Sequence, residues 1–126
     1  MTGISEKKNE VERLVDAIVH GLQEIKGKDI VVLNLEKIPN AVCNKFIICH
    51  GDSNVQVEAL ANSVEKQTRE ILKERPLHRE GVANAEWIIL DYFNVVVHIF
   101  QKETRSFYDL EKLWADAEVE TIDYQI

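Results

Sequence analysis

Four groupings in this chain carry residue types able to do chemistry. Asp91 and His98 could act as an acid–base pair, with a carboxylate orienting an imidazole. Gly51-Asp52-Ser53 could cradle an anion at a helix start, where free amides and the helix dipole favour negative charge. Cys43, Cys49, His20, His50 and His78 are the soft metal ligands and nucleophiles. Trp87 and Phe100 could anchor a binding surface, since aromatics are enriched at interface centres. Asp91 and His98 have no Ser, Cys or second carboxylate beside them on the expected strand pair, 87–91 and 95–100. The cysteines are spaced C-x5-C, which is neither a redox nor a zinc pattern. Cys49 and His50 are neighbours on an expected strand, so they point to opposite faces and cannot share a metal. The glycine loop is short, Asp52 would repel a phosphate, and Ser53 with Gln56 fits a helix capping box.

The elements that position these residues follow from hydrophobic periodicity. Val11, Leu14, Val15, Ile18, Val19, Leu22 and Ile25 form a helical stripe, with Gly27 as its stop signal. Residues 30–35 (IVVLNL) are nearly continuous in β-formers, as in a strand covered on both faces. Residues 45–50 give a second strand. Val57, Leu60, Ala61, Val64, Thr68, Ile71 and Leu72 give a second helix, ending before Pro76, and 77–85 is expected to be a loop.

Residues 86–100 (EWIILDYFNVVVHIF) read as a hairpin turning at Phe93-Asn94. Pairing Ile88 with Ile99, Ile89 with His98 and Leu90 with Val97 sorts the side chains by period two. One face carries Ile88, Leu90, Tyr92, Val95, Val97 and Ile99 and should be core. The other carries Trp87, Ile89, Asp91, Val96, His98 and Phe100, and looks like a recognition platform unless a helix of the same domain covers it. A last helix is expected over Phe107, Leu110, Leu113, Trp114 and Ala117, capped by Thr104 or Ser106, with Arg105 and Tyr108 off the stripe and extending the exposed patch. The order α–β–β–α–β–β–α implies an α/β fold with a mixed sheet packed between helices.

Composition narrows the classes further. The chain has 126 residues, 45% of them hydrophobic and 29% charged. That fits one domain over 1–126, with an acidic solvated tail from about residue 118. No run approaches the ~20 apolar residues of a membrane span, and no secretory signal precedes the first helix. Two cysteines without an export signal are expected as reduced, cytoplasmic thiols. The net charge is −7. Residues 82–126 hold nine acids against Lys102, Arg105 and Lys112, so −6 of it lies in the last third. A phosphate-backbone binder needs the opposite sign, so bare nucleic acid, including DNA, is a poor partner and a basic protein surface a better one.

The residues from Trp87 to Phe100, followed by Arg105, Tyr108-Asp109-Leu110-Glu111 and Leu113-Trp114, closely resemble the ribosomal silencing factor family (RsfS, also called Iojap). Asp29–Leu35, Phe46-Ile47-Ile48-Cys49, Gly51, Ser53, Gln56 and Glu80-Gly81 follow the family order, and the likeness runs from about Leu14 to Trp114. It implies a translational repressor rather than an enzyme, with no cofactor and no catalytic or metal site. Such a protein binds the large ribosomal subunit through ribosomal protein fourteen and blocks joining of the small subunit when nutrients are scarce. Members can form homodimers when free. The implied fold is similar to nucleotidyltransferases, but no D-x-D follows Gly51-Asp52-Ser53 to hold magnesium. A nucleotide-binding or transferase role for that loop is the alternative reading. Trp87 matches the tryptophan presented to the ribosomal protein, His98 the hairpin histidine, Asp91 the acid ending the first hairpin strand, and Tyr108 the aromatic before the acidic pair. Arg105 and the turn residue Asn94 complete the expected partner-binding set. Phe93-Asn94 departs from the usual Gly-Asp, and Asn44-Lys45 from the usual Asp-Tyr. Phe does not readily take the positive φ of a primed turn, so a different turn is expected here.

Overall fold

The computed structural model describes residues 9–122. Helix α1 (Glu10–Glu24) starts with Asn9 and Glu12 capping each other's backbone amides, and buries Leu14, Ala17, Ile18 and Leu22. Its stop works one residue before the expected glycine, since Lys26 takes the left-handed conformation at φ 60°. Strands β1 (Lys28–Asn34) and β2 (Lys45–Gly51) follow, then helix α2 (Asn54–Leu72). The two long helices meet almost backbone to backbone. A Cβ on Gly21 would lie 2.9 Å from the Val64 Cα, and the Ser63 hydroxyl donates to the Gly21 carbonyl at 2.7 Å. Ile71, expected on the buried stripe, is instead 53% exposed.

Strands β3 (His78–Glu80), β4 (Trp87–Asp91) and β5 (Val95–Gln101) come next. Helices α3 (Lys102–Tyr108) and α4 (Leu110–Leu113) and strand β6 (Glu118–Thr121) complete the chain. The sheet order is β3-β4-β5-β2-β1-β6, antiparallel except for the central β2–β5 pair. Helices α1 and α2 cover one face, over Ile30, Val32, Ile47, Cys49, Leu90, Val97 and Ile99. Trp114, Leu110 and the 35–44 connection close over Leu33, Phe46, Ile48 and Phe100 on the other. This is the mixed sheet between helices that the hydrophobic pattern demands.

Three details differ from the sequence expectation. The 77–85 segment contains edge strand β3, whose side chains are all exposed, so it lacks the alternation that betrays a strand. Ladder bonds to β4 and the Arg79–Glu65 ion pair at 3.0 Å hold it. Residues 118–121 are not a tail but strand β6 on the outer edge of β1, with Glu118 paired to Lys37. The single last helix is two short ones, broken where Asp109 takes φ 49°, and the first starts at Lys102 with no side-chain cap from Thr104 or Ser106. Between β3 and β4, Gly81 sits at φ 80° with the Trp87 carbonyl 1.9 Å from where a Cβ would be. Only glycine fits where the chain turns back under Trp87.

Candidate functional site

The β4–β5 register is the expected one: Trp87 faces Phe100, Ile88 faces Ile99, Ile89 faces His98 and Leu90 faces Val97. The apolar face of the hairpin is buried throughout, and the Tyr92 hydroxyl meets Thr68 of α2 at 2.9 Å. The turn closes although Phe93 lacks glycine's freedom. Phe93 takes φ 76°, close to the +75° of the rarer γ-turn, with the Asn94 amide donating to the Tyr92 carbonyl at 3.0 Å. The Asp91 carboxylate accepts from the Phe93 amide at 2.7 Å and holds that conformation. The Asn94 carbonyl accepts from the amides of Asn44 and Lys45, tying the turn to the start of β2.

On the opposite face the aromatic rings run in contact. Trp87 is half-buried; it stacks on Phe100 (centroids 4.8 Å, planes 30° apart) and lies under Tyr108 at 4.7 Å. Its indole Nε1–H donates to His98 Nδ1 at 3.1 Å. Phe46 meets His98 edge-on at 4.5 Å, and Trp114 meets Phe46 at 5.8 Å. At the outer end Phe107 meets Tyr108 at 5.0 Å. The row therefore begins in the second core and ends in solvent. Tyr108 is 51% exposed, Phe107 79% and Leu113 72%. Trp87 and Phe100 are thus partly covered by a helix of the same chain, with Tyr108 over the indole and Phe100 wholly enclosed.

His98 is only 6% exposed, and burial pushes its imidazole down to about 4. An indole can only donate, so Nδ1 must accept and the proton sits on Nε2. That Nε2 is buried without a hydrogen-bond partner. The acid–base pair expected from the register is not formed, because Asp91 is engaged in its own turn.

Arg105 does not extend the exposed patch. It is 9% exposed, grips Glu111 of α4 through two nitrogens (2.8 and 3.4 Å), and donates to His50 Nδ1 at 2.9 Å and to the Lys28 carbonyl. Burial first, and then the Arg105 charge, lower the His50 pKa. Residue spacing alone did not reveal this, since the break at Asp109 is what swings Glu111 back toward Arg105. Trp87, His98 and Tyr108 are thus brought together. Asp91 and Asn94 lie at the turn end of the hairpin, roughly 13 Å along the strand, and Arg105 belongs to a buried brace. Phe107 and Leu113, placed by periodicity on the apolar stripe of the expected last helix, are surface residues. An unbroken stripe and a broken one look alike in sequence, and Asp109 is the one weak signal of the difference.

The Gly51–Ser53 loop is satisfied by its own neighbours. Gln56 Oε1 accepts from the Asp52 amide at 2.8 Å, one residue before a capping box would place it, and the Ser53 hydroxyl accepts from the Gln56 amide at 3.2 Å. The Gln56 amide nitrogen donates to the Ile25 carbonyl, and Lys28 neutralises Asp52 at 2.6 Å. Cys49 and His50 point to opposite faces as expected, and burial raises Cys43 to about 11 and Cys49 to about 12. No group of three His, Cys, Asp or Glu among the described residues could hold a metal, and no described helix is long and apolar enough to cross a membrane.

Comparison with known proteins places this arrangement. The family model described as ribosomal silencing factor during starvation matches residues 8–126. The ribosomal silencing factor of Halalkalibacterium halodurans is 38% identical over 106 residues, 84% of this chain and 89% of its own. A crystal structure of a Chromobacterium violaceum protein, 33% identical, matches with a TM-score of 0.79 over 94% of both chains. Mitochondrial assembly of ribosomal large subunit protein 1 of Mus musculus is 28% identical over 104 residues, 79% of this chain and 44% of that one. With a match over nearly the whole sequence and a shared fold, the chain belongs to the ribosomal silencing factor family.

Proposed function

We propose that this protein is a steric repressor of translation that docks on the large ribosomal subunit through ribosomal protein fourteen and keeps the small subunit from joining. It works in the cytoplasm when nutrients are scarce, as a binding protein and not as an enzyme. The observation that carries the reading is the aromatic row that rises from the core through Trp87 to the exposed Tyr108 and Phe107. A rigid apolar protrusion of this kind supplies what an interface centre needs. The acids of the last third, Asp91 at the hairpin turn among them, suit a basic ribosomal protein and disfavour rRNA. The name of the mouse relative, which speaks of large-subunit assembly, supports the same partner.

Cosedimentation with isolated large subunits, followed by a subunit-joining assay, tests the reading. Trp87→Ala is expected to weaken binding by about 2 kcal/mol, roughly thirtyfold. That substitution also uncovers Phe100 and His98, so Phe107→Ala is the cleaner partner variant. Its side chain is largely in solvent, so its effect on stability should stay within about 0.5 kcal/mol. Full binding by both variants would move the docking surface elsewhere, and binding without any effect on joining would exclude the steric mechanism. Light scattering across concentrations shows whether the same face also serves a homodimer of the free protein, which would dissociate on Phe107→Ala.

A further inference from the structure

We propose that His98 is a positioning residue for Trp87: it does not meet the partner, but fixes the indole so that the docking anchor is presented with its only polar atom already satisfied. The inference rests on reading the Trp87 face as the docking surface. His98 sits on β5 two residues before Phe100, diagonally across the hairpin from Trp87, at a separation that only long or aromatic side chains bridge. Of the contacts that hold the indole, the stack on Phe100 and the tilted contact with Tyr108, its plane 44° away, tolerate sliding and in-plane rotation. The Nε1–H···Nδ1 bond at 3.1 Å is directional and selects one orientation, with the pyrrole edge turned toward the sheet.

His98 itself has little freedom to move. It is 6% exposed, with Phe46 edge-on at 4.5 Å and Trp114 behind Phe46. Its second nitrogen has no partner. A core position selected for packing alone would avoid a buried N–H without an acceptor, because an apolar ring or leucine would fill the same space at no such cost. Here the histidine supplies an acceptor to a half-exposed neighbour. A partner then meets an indole that needs no acceptor, so the complementary pocket is apolar. An indole already fixed also loses less rotational freedom on docking.

Two variants separate positioning from packing. His98→Asn places an amide oxygen near the position of Nδ1, whereas His98→Leu keeps comparable volume without an acceptor. The first readout is the indole N–H resonance of Trp87, told from that of Trp114 by Trp87→Phe, together with its exchange with deuterated solvent. The second is affinity for isolated large subunits. In the wild type and His98→Asn the indole N–H should resonate downfield and exchange slowly. His98→Leu should shift it upfield, speed its exchange and weaken subunit binding by about tenfold, with His98→Asn largely restoring affinity. An unaltered indole resonance in His98→Leu, or unaltered affinity once the resonance has moved, overturns the proposal. If His98→Leu does not fold, wild-type indole exchange as fast as that of free indole overturns it equally. Unimpaired binding by Trp87→Ala would instead remove the docking reading, which the indole resonance does not test.

Discussion

Replacing Arg105 with alanine should destabilise the protein by about 3 kcal/mol and leave the affinity of the folded molecule for its partner nearly unchanged. Breaking a buried charge pair typically costs about 3–5 kcal/mol, because the abandoned partner stays desolvated. The lower figure applies because the Glu111 side chain is 34% exposed and regains water, whereas His50 Nδ1 and the Lys28 carbonyl lose a buried donor. For a domain of this size the loss corresponds to a fall in melting temperature of roughly 10–15 °C. Thermal melts and cosedimentation on the same preparation decide the matter. A normal melt with lost binding would return Arg105 to the docking surface. The substitution should also raise the His50 pKa, since one of the two main causes of its lowering disappears.

Acid should weaken the fold well before its carboxylates are all protonated. His98 titrates at about 4 in the folded protein against the 6.5 of a free imidazole. The unfolded chain therefore takes up the proton first. The stability this group contributes is complete above about pH 6.5, declines as the pH falls, and is short by about 3 kcal/mol near pH 4. His50, lowered by burial and by Arg105, acts with the same sign in this range, whereas Asp52, whose carboxyl is lowered from 3.8 by its hydrogen bond to Lys28, loses its contribution only at lower pH. Urea unfolding between pH 7 and pH 4 measures the total, and His98→Leu isolates the imidazole because its curve should be flatter by that amount. Parallel curves would mean that His98 is not held neutral by its surroundings. Across pH 6–8 His98 stays uncharged, so subunit binding should not follow its titration.

Alternation carried most of what the sequence revealed. The hairpin register, its apolar face and the helical stripes were legible because burial on one side writes a period into the residue types. The two edge strands were not, since His78, Arg79 and Glu80 and the residues of β6 are exposed on both faces and write no period. The exposure expected for Arg105 and the pairing expected between Asp91 and His98 failed for a related reason. Which partner a charged side chain finds is set by a backbone break at Asp109 in one case and a tight turn at Phe93 in the other, and neither conformation is dictated by local propensity. Trp87, His98 and Tyr108 were legible as a group, but their division of labour, an anchor, its support and its cover, depends on burial that only the packed structure supplies.

The outer strand β6 has a bearing on solubility. Beneath it β1 carries Ile30, Val31, Val32 and Leu33, an uninterrupted apolar run of the kind that recruits strands from other molecules when its amides are bare. Glu118 and Glu120 end the sheet with a charged, short strand that a neighbouring molecule would not readily extend. A chain ending at Ala117 would leave that run open, and should aggregate in a concentration-dependent manner even with its aromatic docking row in place. Glu118 and Glu120 are in this sense a selvedge that stops the sheet from growing.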